Sequence, residues 1–199
     1  MHISEGVLPL WMVGAGWGAA AAGVAVGVRK LKPEKVPTAS LFSAVFFVAS
    51  LVHVPIGPSS VHLLLNGLTG LILGVIAFPV IFIALFLQAV LFQFGGIAVL
   101  GINTLNMALP SLACFLLFGR LMQKEGYTLL VAFGTALVGV MFAGLMVALE
   151  LSLSGEGFRL AARLVLLAHL PVMVVEGVVN YFVLSFFKRV YPEILEGVS

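Results

Sequence analysis

The chemistry in this chain is concentrated in its opening residues, MHISEG. Met1 offers an amine, and His2 offers an amide nitrogen and an imidazole. Short covalent links join these three donors, so they can close fused chelate rings around one ion. If an ion displaces the amide proton, the three nitrogens lie nearly in a plane and a fourth nitrogen completes a square. Square-planar nitrogen coordination favours Ni(II), Cu(II) and low-spin Co(II) over Zn(II), Mg(II) and Ca(II). Binding releases protons, so affinity falls on acidification. Removal of an initiator methionine generally requires a small second residue, so the free terminus is expected at Met1.

The fourth donor has to come from elsewhere in the chain. His62 follows GPSS, where Ser59 or Ser60 is expected to cap a helix. His53 ends the preceding apolar stretch. Position leaves both open. Asn103 and Asn106 lie in a polar stretch expected to be a loop, where their amides either orient the metal-binding terminus or cap the loop. Glu5 either shields the charge of an ion or is a solvated acid. His169 and Glu176 stand seven apart with Pro171 between them, so they share a helical face. They read as a hydrogen-bonded pair that fixes that helix, or as an intramembrane relay.

The elements that must position these groups follow from composition. Of 199 residues, 62% are hydrophobic and 9% charged, where a soluble domain carries about a quarter charged. Mean hydropathy is +1.22. Such a chain is an integral membrane protein. Apolar segments near spanning length fall at 8–28, 37–55, 62–78, 79–99, 105–122, 127–149 and 160–187, with the third and fourth divided at Phe78-Pro79. Basic residues cluster in RKLKPEK, GRLMQKEG and the tail (Lys188, Arg189). Seven spans put all three on one side, so the expected topology is N-terminus outside and C-terminus cytoplasmic. Small residues at helical spacing (Gly14, Gly18, Ala22; Ala39, Ser43; Ser40, Ala44) are expected to serve internal packing, or to face a partner.

Several function classes are excluded. A net charge of +2 gives no nucleic-acid footprint, and a single Cys114 gives neither a disulfide framework nor a CxxC pair. GxxxxGK[ST], HExxH and GxSxG are absent, so the chain is expected to be no enzyme and to bind no nucleotide by a P-loop.

MHISEGVLP, then VPIGPSSVHLLLNGLTGLILG, then the run through FGGIAVLGINTLNMALP resembles the CbiM/NikM family. These are the substrate-binding membrane components of energy-coupling-factor transporters for cobalt and nickel. The signature GGI…GxNxxNM is present as Gly95, Gly96, Ile97, Gly101, Asn103, Asn106 and Met107. The resemblance spans essentially the whole chain. It implies a metal site of Met1 (amine), His2 (amide and imidazole) and His62, and so selects His62 over His53. It also implies a transmembrane coupling subunit, cytoplasmic ATPase subunits and a small accessory membrane subunit as partners, in a prokaryotic plasma membrane. The loop GPSSVH leaves cobalt against nickel open.

The resulting expectation is an all-α integral membrane protein of about seven transmembrane helices, a single transmembrane domain over 1–199. It captures divalent cobalt or nickel as cargo and needs no resident cofactor. The rival reading is a stand-alone proton-coupled secondary transporter or channel, with His169 and Glu176 as the relay.

Overall fold

A computed structural model describes residues 2–51, 53–56 and 59–196. Seven helices carry the fold: α1 (Leu10–Lys30), α2 (Val36–Ala49), α3 (Asn66–Leu73), α4 (Ala77–Phe92), α5 (Leu100–Met122), α6 (Thr128–Ser154) and α7 (Arg159–Val190), followed by a single turn, α8 (Glu193–Glu196). Among the described residues, five helical stretches have the length and apolar composition of a membrane crossing: Leu10–Lys30, Asn66–Phe92 (α3 and α4 taken together), Leu100–Met122, Thr128–Ser154 and Glu156–Val190. Each of the seven apolar segments read from the sequence corresponds to one of α1–α7.

The exception to all-helical structure lies in HVPIGPSSVH. There β1 (His53–Ile56) and β2 (Ser59–His62) pair antiparallel, with His53 opposite His62. Ser59 and Ser60 therefore belong to a strand and cap no helix. The next helix, α3, starts four residues after His62, and its preceding residue Leu65 makes no side-chain cap bond.

The third crossing is discontinuous. Asn66 donates from Nδ2 to the carbonyls of Met107 (3.5 Å) and Gly139 (3.2 Å), well inside α5 and α6. Helix α3 thus begins in the interior of the bundle, and all eight of its residues are buried. Eight residues span about 12 Å, too short to cross alone. The chain reverses at Gly74, whose φ of 55° breaks the helix, and not at Phe78-Pro79, which falls within the first turn of α4. Proline is tolerated there because the first helical N–H groups have no intrahelical partner.

Helix α4 returns parallel to α2: Ser43 Oγ donates to the Val80 carbonyl (3.0 Å), and Gln88 Nε2 donates to the Phe47 carbonyl (3.4 Å) and to Ser50 Oγ. The Ala39–Ser43 face of α2 packs on α4. The Ser40–Ala44 pair and the Gly14–Gly18–Ala22 stripe of α1 are exposed. Internal packing of α1 uses other glycines: Gly16 meets Ile102, and Gly27 meets Pro79.

Two apolar cores fill the bundle, one at each end. The first contains Ile3, Leu8, Phe46, Leu64, Val147 and Val165. The second contains Leu73, Val80, Met122 and Leu184, with Leu31 against it. Lys188 Nζ reaches the Lys124 carbonyl (3.3 Å) at that second end. The basic stretches 29–35, 120–124 and 188–189 therefore share the end opposite His2.

Candidate metal centre

Three stretches far apart in sequence meet at the first end: residues 2–8, the hairpin with its exit at 63–65, and the loop 93–99 leading into α5. The terminal segment is strapped down along its backbone. Asn103 makes a reciprocal pair with Ile3, accepting from the Ile3 N–H through Oδ1 (2.9 Å) and donating from Nδ2 to the Ile3 carbonyl (3.1 Å). The Glu5 N–H donates to the Gly95 carbonyl (3.0 Å), and Glu5 Oε1 accepts from the Ala98 N–H (2.8 Å). Trp17 Nε1 steadies the same loop by donating to the Ala98 carbonyl (2.9 Å). Ile3 is fully buried and acts as the apolar anchor.

Gly95 (φ 74°) and Gly96 (φ 116°) occupy backbone regions that L side chains rarely adopt. A Cβ at Gly95 would stand 2.8 Å from Asn103 Nδ2, and one at Gly96 would strike the Glu5 side chain. The GG pair lets the loop lie against the strap.

His2 and His62 are both buried, and His2 Nδ1 lies 3.3 Å from His62 Nε2. His62 Nδ1 is 2.8 Å from the Leu63 carbonyl. Only a protonated Nδ1 can bond there, so Nε2 carries the lone pair that faces His2. Gln88 interacts with the His2 imidazole, although neither His2 Nε2 nor Gln88 Oε1 completes a well-formed hydrogen bond. The His62 Nε2 lone pair therefore accepts from the His2 Nδ1–H. An ion held between the two rings would take the place of that proton. Nitrogens each about 2.0 Å from a single ion stand about 2.8 Å apart as neighbours in a square and about 3.3 Å apart in a tetrahedron, so the observed 3.3 Å is within reach of a shared ion, and a planar site requires the rings to close by about 0.5 Å.

Burial pushes both imidazoles well below their ordinary value of 6.5; at His62 the neighbouring His2 and His169 rings lower it further. Both rings are neutral at pH 7, the form a metal requires. Among the described residues no group of three or more His, Cys, Asp or Glu is placed to share one ion.

The other sequence candidates resolve into supporting roles. Met1 lies outside the described residues. His53, paired opposite His62 in the hairpin, has Nδ1 3.2 Å from the Leu51 carbonyl and packs edge-on to Phe94 (4.3 Å between ring centres). Asn103 and Asn106 sit on helix α5, not on a loop; Asn106 Nδ2 donates to Glu150 Oε2 (2.7 Å), one helical turn beyond the strap. Glu5 is exposed and braces the loop. His169 and Glu176 do not bond each other: His169 Nδ1 donates to the Val165 carbonyl (2.6 Å), and Glu176 Oε1 accepts from the Leu64 N–H and the Leu65 N–H (3.0 Å). Sequence reasoning missed Gln88 and Asn66. Each is an isolated amide in a long apolar run, and that isolation was the available signal.

The family described as "Cobalt uptake substrate-specific transmembrane region" (CbiM) matches residues 2–194. A Haemophilus influenzae protein named for metal transport is 42% identical over 199 residues, covering 98% of this chain and 97% of that one. An Archaeoglobus fulgidus protein named as a fused nickel transport protein, NikMN, is 26% identical over 98% of this chain and 68% of its own length. A Methanocorpusculum labreanum protein named as a fused cobalt transport protein, CbiMQ, is 31% identical over 98% of this chain and 36% of its own. Among solved structures, a truncated transition metal transporter matches with a TM-score of 0.83 and 28% identity, over 95% of this chain and 99% of that one.

Proposed function

This chain belongs to the CbiM family, multi-pass membrane components of cobalt and nickel transport, and on that premise we propose that it captures Co(II) or Ni(II) from outside the cell as the substrate-binding subunit of an ATP-driven energy-coupling-factor transporter. The observation that carries this reading is the pair of buried imidazole nitrogens, His2 Nδ1 and His62 Nε2, facing each other at 3.3 Å. The His2 amide and the Met1 amine are tied covalently to the first of them and supply the remaining donors of a planar set. A neutral, buried, nitrogen-only site suits late first-row divalent ions and disfavours the oxygen-seeking Mg(II) and Ca(II).

Uphill transport needs an energy source that this chain lacks, because its sequence has no P-loop. Cytoplasmic ATPase subunits acting through a transmembrane coupling subunit supply it, and a small accessory membrane subunit assists loading. Relatives named as fusions, CbiMQ and NikMN, support a life among other transporter components. The expected topology places the His2 end outside and the basic end in the cytoplasm, since the three basic stretches share one end.

The test is metal binding by purified protein. His62→Ala and His2→Ala should each weaken Ni(II) or Co(II) binding by at least about 100-fold, since each removes a donor from a four-nitrogen site. The absorption spectrum of bound Ni(II) should report planar coordination. Unchanged affinity in His62→Ala refutes the assignment.

A further inference from the structure

The mechanism above gives no work to Glu176, a fully buried acid in the middle of α7. Its surroundings are specific. Oε1 accepts hydrogen bonds from two consecutive amides, Leu64 and Leu65. These lie two and three residues after His62 and lead into the buried start of α3. Leu65 there holds a left-handed conformation, with φ 51° and ψ 14°. For a residue with a Cβ that conformation is unfavourable by roughly 1–2 kcal/mol, and it persists only where surrounding bonds over-determine it. Glu176 supplies those bonds.

The Leu64 N–H and the Leu63 carbonyl are the two ends of one peptide group. The Leu63 carbonyl accepts the Nδ1–H of His62, while the Leu64 N–H donates to Glu176. An unbroken chain therefore runs from the Glu176 carboxylate through that peptide unit and the His62 ring to Nε2, which faces His2. Each bond in such a chain polarises the next. A carboxylate accepting from one end of a peptide makes the carbonyl at its other end a better acceptor. That in turn holds the proton on Nδ1 and enriches the lone pair on Nε2.

We propose that Glu176 is a positioning residue for the metal centre, acting on His62 through the Leu63–Leu64 peptide group to fix its Nε2-bare tautomer and strengthen it as a ligand. The proposal rests on the reading of His62 as a ligand. It differs from the relay in which Glu176 carries protons with His169, because here the carboxylate stays in place. A carboxylate–histidine pairing is a common way to orient a ligating imidazole. In this chain one backbone unit intervenes. The link also ties α7 to the hairpin that bears His62, so the position of α7 is felt at the ligand.

The test uses full-length protein purified in detergent, with Ni(II) as probe, and the variants Glu176→Gln, Glu176→Leu and His62→Ala. Gln keeps the size of the side chain and a neutral acceptor, so affinity should fall about tenfold. Leu removes the acceptor and should cost about 100-fold, the range seen when outer partners of metal ligands are lost. The deciding readout is the His62 imidazole in metal-free protein, followed by 15N labelling of histidine side chains. Wild type should show a single Nδ1–H tautomer, Glu176→Gln a shifted Nδ1 signal, and Glu176→Leu a mixture of tautomers. Unchanged affinity in Glu176→Gln, or weakened affinity with the His62 signals unmoved, overturns the proposal. Should Glu176→Leu not fold, the Gln variant decides alone. Retention of full affinity by His62→Ala would remove the underlying assignment first, a failure distinct from that of Glu176→Gln.

Discussion

Replacing Asn103 by Ala asks whether the terminal segment is held by its backbone strap, and the size of the effect can be worked out from the contacts. The substitution leaves the buried N–H and carbonyl of Ile3 without partners. An unsatisfied buried polar group costs about 1–3 kcal/mol, so the pair costs about 2–4 kcal/mol once some water reaches the outer face. Little surplus stability absorbs that loss. Ordering residues 2–8 opposes docking by about 1–2 kcal/mol for each residue. Against this stand burial of Ile3 and Leu8, at about 2–3 kcal/mol each, and a few bonds worth about 1 kcal/mol each. The terms nearly cancel, so what Asn103 loses should appear almost in full as undocking and as lost metal affinity. Every 1.4 kcal/mol is tenfold, which gives a weakening between about 30-fold and about 700-fold.

The assay is competition for Ni(II) against a coloured chelator, with hydrogen exchange at the Ile3 amide as an independent measure of docking. Asn103→Asp sharpens the test, because it keeps an acceptor for the Ile3 N–H but sets an oxygen against the Ile3 carbonyl. It should be no better than Ala. Affinity within about threefold of wild type, with Ile3 still protected from exchange, would refute the strap as the source of docking.

Two further outcomes follow from the same contacts. Burial depresses the imidazoles of His2 and His62 well below 6.5 in the docked state, while undocked rings titrate near that value; docking is therefore fully stable above about pH 6.5 and is lost as pH falls below it. The protection of the Ile3 amide in metal-free protein, taken relative to the intrinsic exchange rate at each pH, should fall on acidification from about pH 7.5 to about pH 5, and flat protection across that range would contradict the burial argument. Gly70 of α3 lies directly against the Ser111 carbonyl of α5, and no Cβ fits between them. Gly70→Ala should lower the melting temperature in detergent, with a loss of about 3 kcal/mol or more, whereas Gly14→Ala, which meets nothing within 4 Å, should leave it unchanged or raise it slightly, since Ala is the better helix former by up to about 1 kcal/mol.

Much of this architecture was legible in the sequence because lipid demands it. Helices α1 and α4–α7 announce themselves as long apolar runs, and any chain segment crossing hydrocarbon must satisfy its own backbone. The candidate donors could be named for a different reason: Met1 and His2 are neighbours in the chain, so covalent geometry alone relates their nitrogens. What composition could not reveal are features that depend on tertiary contacts. Strands β1 and β2 contain Pro and Ser, which read as a loop. Their pairing is possible because α7 and the loop after α4 cover them. The reversal at Gly74 escaped notice because Pro79 is the more conspicuous breaker, yet proline suits the start of a helix and a glycine with positive φ suits its end. Asn103 reads as a loop residue beside GGI, but folding makes it the helical partner of Ile3.

The two imidazoles are held by unequal means, and this inequality bears on how a captured ion could leave. His62 sits in a paired strand whose exit is gripped by α7 through Glu176, while Asn66 binds the backbones of α5 and α6 just beyond. Moving His62 would break bonds buried in the bundle, where water cannot replace them. His2 belongs to a short terminal strap. Its bonds to Asn103, Gly95 and Ala98 lie at one end of the bundle, and the entropy gained on release nearly balances them. Disturbance of comparable size at the two sides should therefore dislodge His2 first. On the proposed function, the rigid half of the centre would fix where the ion binds, and the strap would set how long it stays. Affinity can then be lowered without unfolding the bundle, as a carrier that must both capture and release its cargo requires.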